Sequence, residues 1–269
     1  MDTPCYADAQ TTERQTVSTV VAERIERFRN AVISATPRQL HRIEESDATG
    51  DSVALVLAFD CLYEEDEVGD DPAELGVDPF LVDWQVNQSP LLVALSDRLD
   101  ERRRAGVAAW VSTGMAQTPP ARSRFLSPHS SSILGGKPST GGLFTSTPGV
   151  DQGMWRLYLG ATAEISLFPK PWTTWLLPVA EGARTISVDT ATEWCELVAS
   201  NPLSTSRGSV LNWTAMSKET DGINISLRAV FSTDGLQFAH QGHTVAPVHW
   251  TTQTTVWLNW SFTDPVTTS

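Results

Sequence analysis

The residues best suited to chemistry by type and spacing lie within 122–147, ARSRFLSPHSSSILGGKPSTGGLFTST. The imidazole of His129 offers a ring nitrogen to a ribose hydroxyl. Gly141 and Gly142 lack the Cβ that would hold a flat ring away from the backbone. Phe144 can stack on such a ring. Thr145, Ser146 and Thr147 can donate hydrogen bonds from a strand end. Lys137 or Arg124 can take a phosphate through a charge-assisted hydrogen bond. Together these residues describe a pocket for a flat, phosphorylated molecule.

Other arrangements fit less well. The surroundings of Ser146, Phe-Thr-Ser-Thr-Pro, form no GxSxG elbow. Gly135-Gly136-Lys137-Pro138 has the wrong glycine spacing for a phosphate loop, and Pro138 stands where a magnesium-binding hydroxyl is required. Cys195 sits in the amphipathic stretch EWCELV and reads as a buried structural thiol, since reactive thiols need an open, electropositive setting. His240 and His243 form an HxxH pair with His249 nearby. Their context is that of a polar loop or strand end, without an acid or cysteine to complete a ligand set. No metal is expected.

The segment 122–147 resembles the start of the ADP-ribosyltransferase fold, in which a first strand carries a His or Arg that grips NAD. A second strand then runs glycine, aliphatic, aromatic, hydroxyl. The likeness extends over about residues 122–262 to a group of uncharacterised bacterial and phage proteins with a Lys-Pro-x-Gly-Leu-Trp-x-Ser segment and a late Asp-Gly-(Ile/Val) strand. Here these read Lys137-Pro138, Gly142-Leu143-Phe144-Thr145-Ser146 and Asp221-Gly222-Ile223. The resemblance implies an NAD-using mono-ADP-ribosyltransferase-like enzyme acting on an unidentified protein or nucleic-acid acceptor. By that resemblance His129 holds an NAD ribose, and Lys137, Gly142, Phe144, Thr145, Ser146 and Thr147 line the cofactor site. The family's late catalytic Glu stabilises an oxocarbenium-like transition state electrostatically. Asn224 stands where that Glu would be convenient, with Glu219 and Asp221 as nearby substitutes.

These residues must be positioned by an α+β scaffold. Apolar spacing predicts an amphipathic helix over 16–35 and a helical region over 89–115 with Leu91, Leu92, Leu95 and Leu99 on one face. The apolar run within 52–63 suits a buried strand or a buried helix. The acid-rich stretch 64–79 lacks the register of a calcium loop and reads as solvated. Pro119-Pro120 marks a boundary, giving a mostly helical acidic domain over 1–120 and a mainly antiparallel β-rich domain of ADP-ribosyltransferase-like type over 121–269. Within the second, strands are expected at 142–147, 154–160, 163–168, 172–179, 183–188, 222–231 and 254–262. Asp189 or Thr190 should cap a helix ending near Ala199, and Asn212 a short one over 213–218.

Bulk composition narrows the partners. Net charge is −13 over 269 residues. Residues 1–120 hold 22 acids against 10 bases, and 121–269 hold 10 against 9. Extended nucleic-acid binding needs clustered cations and is not expected. An acidic surface would suit a basic protein partner, so a non-catalytic immunity, antitoxin or phage accessory protein is the alternative. The three wide-spaced cysteines indicate neither a zinc site nor a disulfide framework. A polar start and the lack of a membrane-length apolar run point to a cytoplasmic protein away from membranes. Eight of the ten tryptophans follow residue 150, which places the heavier core there.

Overall fold

The computed structural model describes residues 17–33, 72–114, 118–148, 154–161 and 168–268. The apolar run within 52–63, most of the acid-rich stretch and the strand expected at 163–168 lie outside them, save Phe168 and residues 72–79.

Helix α1 (Thr19–Ile33) buries Val21, Arg24 and Phe28, one per turn, and Phe28 meets Phe231 edge-on at 5.7 Å. Strand β1 (Glu74–Val77) leads through Asp78, whose carboxylate caps helix α2 (Pro79–Asn87) by accepting from the Phe80 N–H. Pro90 opens helix α3 (Pro90–Arg103), which buries Leu92, Leu95 and Leu99 but leaves Leu91 exposed. The helix is therefore shorter than the sequence suggests. Gly106, with φ of 75°, turns the chain into strand β2 (Val107–Thr113).

The segment 125–132 carries no regular structure, and a single 3-10 turn occupies Arg122–Arg124. No strand runs into His129. A small hairpin, β3 (Ile133–Leu134) and β4 (Lys137–Pro138), precedes β5 (Leu143–Thr145). Residues 154–160, expected as a strand, form helix α4 (Met154–Ala161). Helical spacing lets Trp155 stack on Tyr158 at 5.1 Å and buries Met154 and Tyr158 together.

Strands β6 (Trp172–Pro178) and β7 (Thr185–Val188) follow as expected. Thr190 caps helix α5 (Ala191–Ser200), then β8 (Pro202–Thr205) and β9 (Gly208–Leu211) form a hairpin. Asn212 caps helix α6 (Trp213–Glu219). The stretch expected as one strand over 222–231 divides into β10 (Gly222–Ile225) and helix α7 (Leu227–Thr233). Ser226 makes the break by accepting from the Ala229 N–H. Both pieces are almost wholly buried, so neither period shows in the residue pattern. Strands β11 (Leu236–His240), β12 (His243–Val245), β13 (Thr254–Trp257) and β14 (Val266–Thr268) complete the described chain.

The result is a mixed α+β fold with seven α-helices among the described residues and mostly antiparallel pairing. One sheet has the order β1-β11-β12-β9-β8, a second β5-β13-β10-β7, a third β14-β6-β2. Ala109 of β2 bridges Ser146, just past β5, and so stitches the second and third sheets. Strand β1 pairs with β11 and β2 with β6, and one apolar cluster joins Val21, Leu92 and Leu99 to Trp194, Trp213 and Trp250. Sheets and core thus run across residue 120, where the sequence suggests a boundary. No described helix is long and apolar enough to cross a membrane.

Two carboxylates sit in the helix layer, Asp83 half-buried and Asp100 buried. Asp83 of α2 accepts from the Ala191 and Thr192 N–H groups and so caps α5 from a separate element. Asp100 of α3 is buried beside Arg103. Burial, then the repulsion of Asp189, pushes the Asp100 carboxyl above its usual range, with Arg103 and Arg228 opposing. A raised native pKa means the folded state binds the proton more tightly, so this contribution is present at low pH and is lost as pH rises through the raised value. Asp100→Asn is expected to flatten the fall in stability as pH climbs above about 4. Urea unfolding at a series of pH values measures it, and an unchanged slope would contradict it.

Candidate functional site

Strand β5 is placed by the glycine pair before it. Gly141 and Gly142 both have φ of 74°. A Cβ on Gly141 would lie 2.5 Å from the Ser127 carbonyl oxygen, so only glycine fits the turn. Beyond it β5 runs antiparallel to β13, pairing Leu143, Phe144 and Thr145 with Trp257, Val256 and Thr255. Ser146 and Ala109 exchange two backbone hydrogen bonds of 2.9 Å.

A cleft of about 400 Å3 opens along this junction. Its walls carry Trp110, Phe144, Trp155 and Trp250, with Lys137, Ser146 and Thr252 between them. Phe144 is 37% exposed and lies on the cleft wall. The Lys137 ammonium sits 5.6 Å from the Trp250 ring centroid, within cation–π range. The Thr252 hydroxyl is buried and has no hydrogen-bond partner among the described residues, although an unpaired buried hydroxyl is costly. A second cavity of about 380 Å3 adjoins the first and shares Trp110, Gly142 and Leu143 with it. Phe125, Trp260 and Arg124 line that one. Lys137 and Arg124 are the ionisable side chains on these walls, which carry no carboxylate, imidazole or thiol among the described residues.

The structure brings Lys137, Gly142, Phe144, Thr145 and Ser146 to the cleft. The hydroxyls of Thr145 and Ser146 are already engaged. Thr145 Oγ1 accepts from the Trp257 indole N–H at 2.9 Å, and Ser146 Oγ accepts from the Trp155 N–H at 3.1 Å. Thr147 faces a different cavity. His129 is exposed, lines none of these cavities, and holds its Nδ1 2.7 Å from the Ser131 hydroxyl.

The residues considered as late catalytic acids or substitutes stand apart from the cleft too. Asn224 is fully buried inside the second sheet, where its Oδ1 accepts from Gln253 Nε2 at 3.0 Å and Thr255 Oγ1 at 3.1 Å. Asp221 braces a turn by accepting from the Arg184 N–H at 2.8 Å and from Asn259 Nδ2 at 3.2 Å. Glu219 is exposed at the end of α6. An imidazole and a late acid do not converge with the β5 hydroxyls.

Two further motifs find structural places. His240 and His243 face each other across the β11–β12 turn. Among the described residues no three His, Cys, Asp or Glu side chains gather as metal ligands. Cys195 is buried in α5, and burial, followed by repulsion from Asp83, pushes its thiol far up. A thiol so protonated is a poor nucleophile at neutral pH.

Residue types alone do not mark Trp110, Trp155 and Trp250 as walls, nor Thr252 among them. The run Trp250-Thr251-Thr252 carried a usable signal: an aromatic followed at once by hydroxyls, the same composition that drew attention to Phe144-Thr145-Ser146. No family model, curated protein or solved structure matches this chain.

Proposed function

We propose that the protein binds a flat-ringed anionic ligand of the nucleotide class, with NAD as the dinucleotide suited to the paired cavities. The observation that carries this reading is the shared Trp110–Gly142–Leu143 wall, with aromatic faces and one cation on each side of it. Each cavity lies in the size range of small-molecule sites. Aromatic faces take the rings, and Lys137 and Arg124 meet the phosphates between or beside them. Thr252 supplies a donor that the protein itself leaves unused.

Transfer of ADP-ribose would be favoured by a carboxylate near the ribose as positive charge develops there. Neither cavity wall carries one among the described residues. The reading is therefore of ligand binding, with any transfer chemistry depending on an acid from outside these walls.

Calorimetric titration with NAD tests it. Saturable binding is expected, weakened about tenfold by Phe144→Ala because one stacking face is lost. The unliganded variant should melt near the parent, since Phe144 is partly exposed. Absence of saturable binding, or unchanged affinity in the variant, would overturn the proposal. The net charge of −13 favours a second reading, an acidic protein that captures a basic partner. It is distinguished by salt-sensitive partner capture without NAD binding.

A further inference from the structure

A third cavity, of about 270 Å3, lies where the C-terminal end of α3 meets β2, and it carries a charge pattern at odds with the chain as a whole. In a protein of net charge −13 its wall holds two arginines, Arg103 and Arg104, and no acid among the described residues. The remaining polar wall is made of hydroxyls, among them Thr147, Thr185 and Thr255, with the indole of Trp257 beside them.

Each of these groups has a different degree of commitment. Arg103 is held in place: its Nη2 donates to the Ser187 hydroxyl at 2.9 Å and its Nε stands 3.6 Å from Asp100. Arg104 is exposed and makes no side-chain hydrogen bond or ion pair among the described residues. Both stand at the negative end of the helix dipole, which favours cations there with or without a ligand. Thr255 donates to Asn224 Oδ1, which leaves its oxygen only as an acceptor. Thr147 is 2% exposed, and its Oγ1 is buried without a hydrogen-bond partner among the described residues. A buried hydroxyl left unpaired lowers stability unless something else uses it. A preset guanidinium, a guanidinium unpaired among the described residues and an unspent hydroxyl share one small wall, a combination that suits an oxyanion.

We propose that this cavity is a phosphate site, taking inorganic phosphate or the terminal phosphate of a small phosphomonoester. The dianion would be met by Arg104 and Arg103 through charge-assisted hydrogen bonds, and Thr147 Oγ1 would donate to a third oxygen. The site is independent of the aromatic cleft, because its ligand needs no ring.

Titration of the full chain with inorganic phosphate at low ionic strength, followed by amide chemical shifts, tests the proposal. Methyl phosphate forms a parallel arm: tighter binding than inorganic phosphate assigns the site to esters, and weaker binding assigns it to the free ion. Saturable shifts are expected at residues around Arg104 and Thr147, with affinity falling as salt rises. Arg104→Ala should weaken phosphate about tenfold while lowering the unliganded melting temperature by no more than about 4 °C, the loss of its helix-dipole contribution. Thr147→Val is the sharper variant. It removes an unpaired buried hydroxyl, so the unliganded protein should melt at the same or a higher temperature, while phosphate binds several-fold more weakly. Linear, unsaturable shifts in the parent protein would overturn the proposal. So would either variant binding phosphate as tightly as the parent.

Discussion

Replacing Asp234 by alanine is expected to lower the folding free energy by about 3–5 kcal/mol, the usual cost of removing one partner from a buried charged set. Asp234 ends α7 and is buried. Its Oδ1 accepts from the Trp250 N–H at 2.7 Å, and its carboxylate faces the Arg24 guanidinium at 3.7 Å and the His249 ring at 3.9 Å. One side chain thus joins α1, α7 and the segment that carries the cleft's Trp250 and Thr252. Burial pushes its carboxyl above the usual range, against the pull of Arg24 and His249. Asp234→Asn, which keeps an acceptor for Trp250, should cost less, about 1–2 kcal/mol. Chemical denaturation of the two variants checks the order. Equal losses from alanine and asparagine would show that the charge, and not the acceptor, carries the effect.

Trp213→Ala should cost about 3–5 kcal/mol as well, by a different route. The side chain is fully buried and packs against Trp194 with ring centroids 6.4 Å apart. Its indole N–H donates to the Gly136 carbonyl at 3.1 Å. Gly136 lies in the turn between β3 and β4, directly before Lys137, so the core reaches the rim of the cleft through this bond. Trp213→Phe keeps most of the packing and loses the hydrogen bond, for an expected cost of about 1–2 kcal/mol. It should also weaken NAD by loosening Lys137. Denaturant midpoints give the stability terms, and calorimetry on the phenylalanine variant gives the second. Full ligand affinity in Trp213→Phe would separate the β3–β4 turn from binding.

Local chemistry made several elements legible in the residues. A cap at Asp189 or Thr190 and one at Asn212 were readable because each precedes an apolar helical stretch; the structure selects Thr190 of the first two. Hydroxyl or amide oxygens at those positions satisfy N–H groups that a helix start leaves open. The amphipathic pattern of α1 was equally plain, and so was the face of α3 read as Leu91, Leu92, Leu95 and Leu99, of which Leu91 is exposed and the other three are buried. The β10–α7 break was not, because residues buried on all sides show no period, and Ser226 was the one mark of it. The strand-like look of 154–160 failed for a related reason: Trp155 and Tyr158 suit either structure, and their stacking at helical spacing decides.

The site was legible on one side. Glycines with positive φ and the exposed Phe144 follow from backbone demands that a sequence carries locally. The opposing walls come from β2, α4 and the segment after Trp250, and such convergence is set by sheet pairing across long chain separations. His129 looked equally suited to a ligand by type, yet its segment is held against α6 by Ser130 bonding to Asn212 and Thr214, which keeps the imidazole at the surface. Asn224 and Asp221 were likewise drawn into sheet and turn bracing.

The most direct measurement is a crystal structure determined with NAD at saturating concentration. A ring of the ligand should lie against Phe144, within about 4 Å of it and of Trp250 or Trp155, with a phosphate oxygen near Lys137 or Arg124. An empty cleft under those conditions, or a dinucleotide bound at a surface away from the Trp110–Gly142–Leu143 wall, would contradict it.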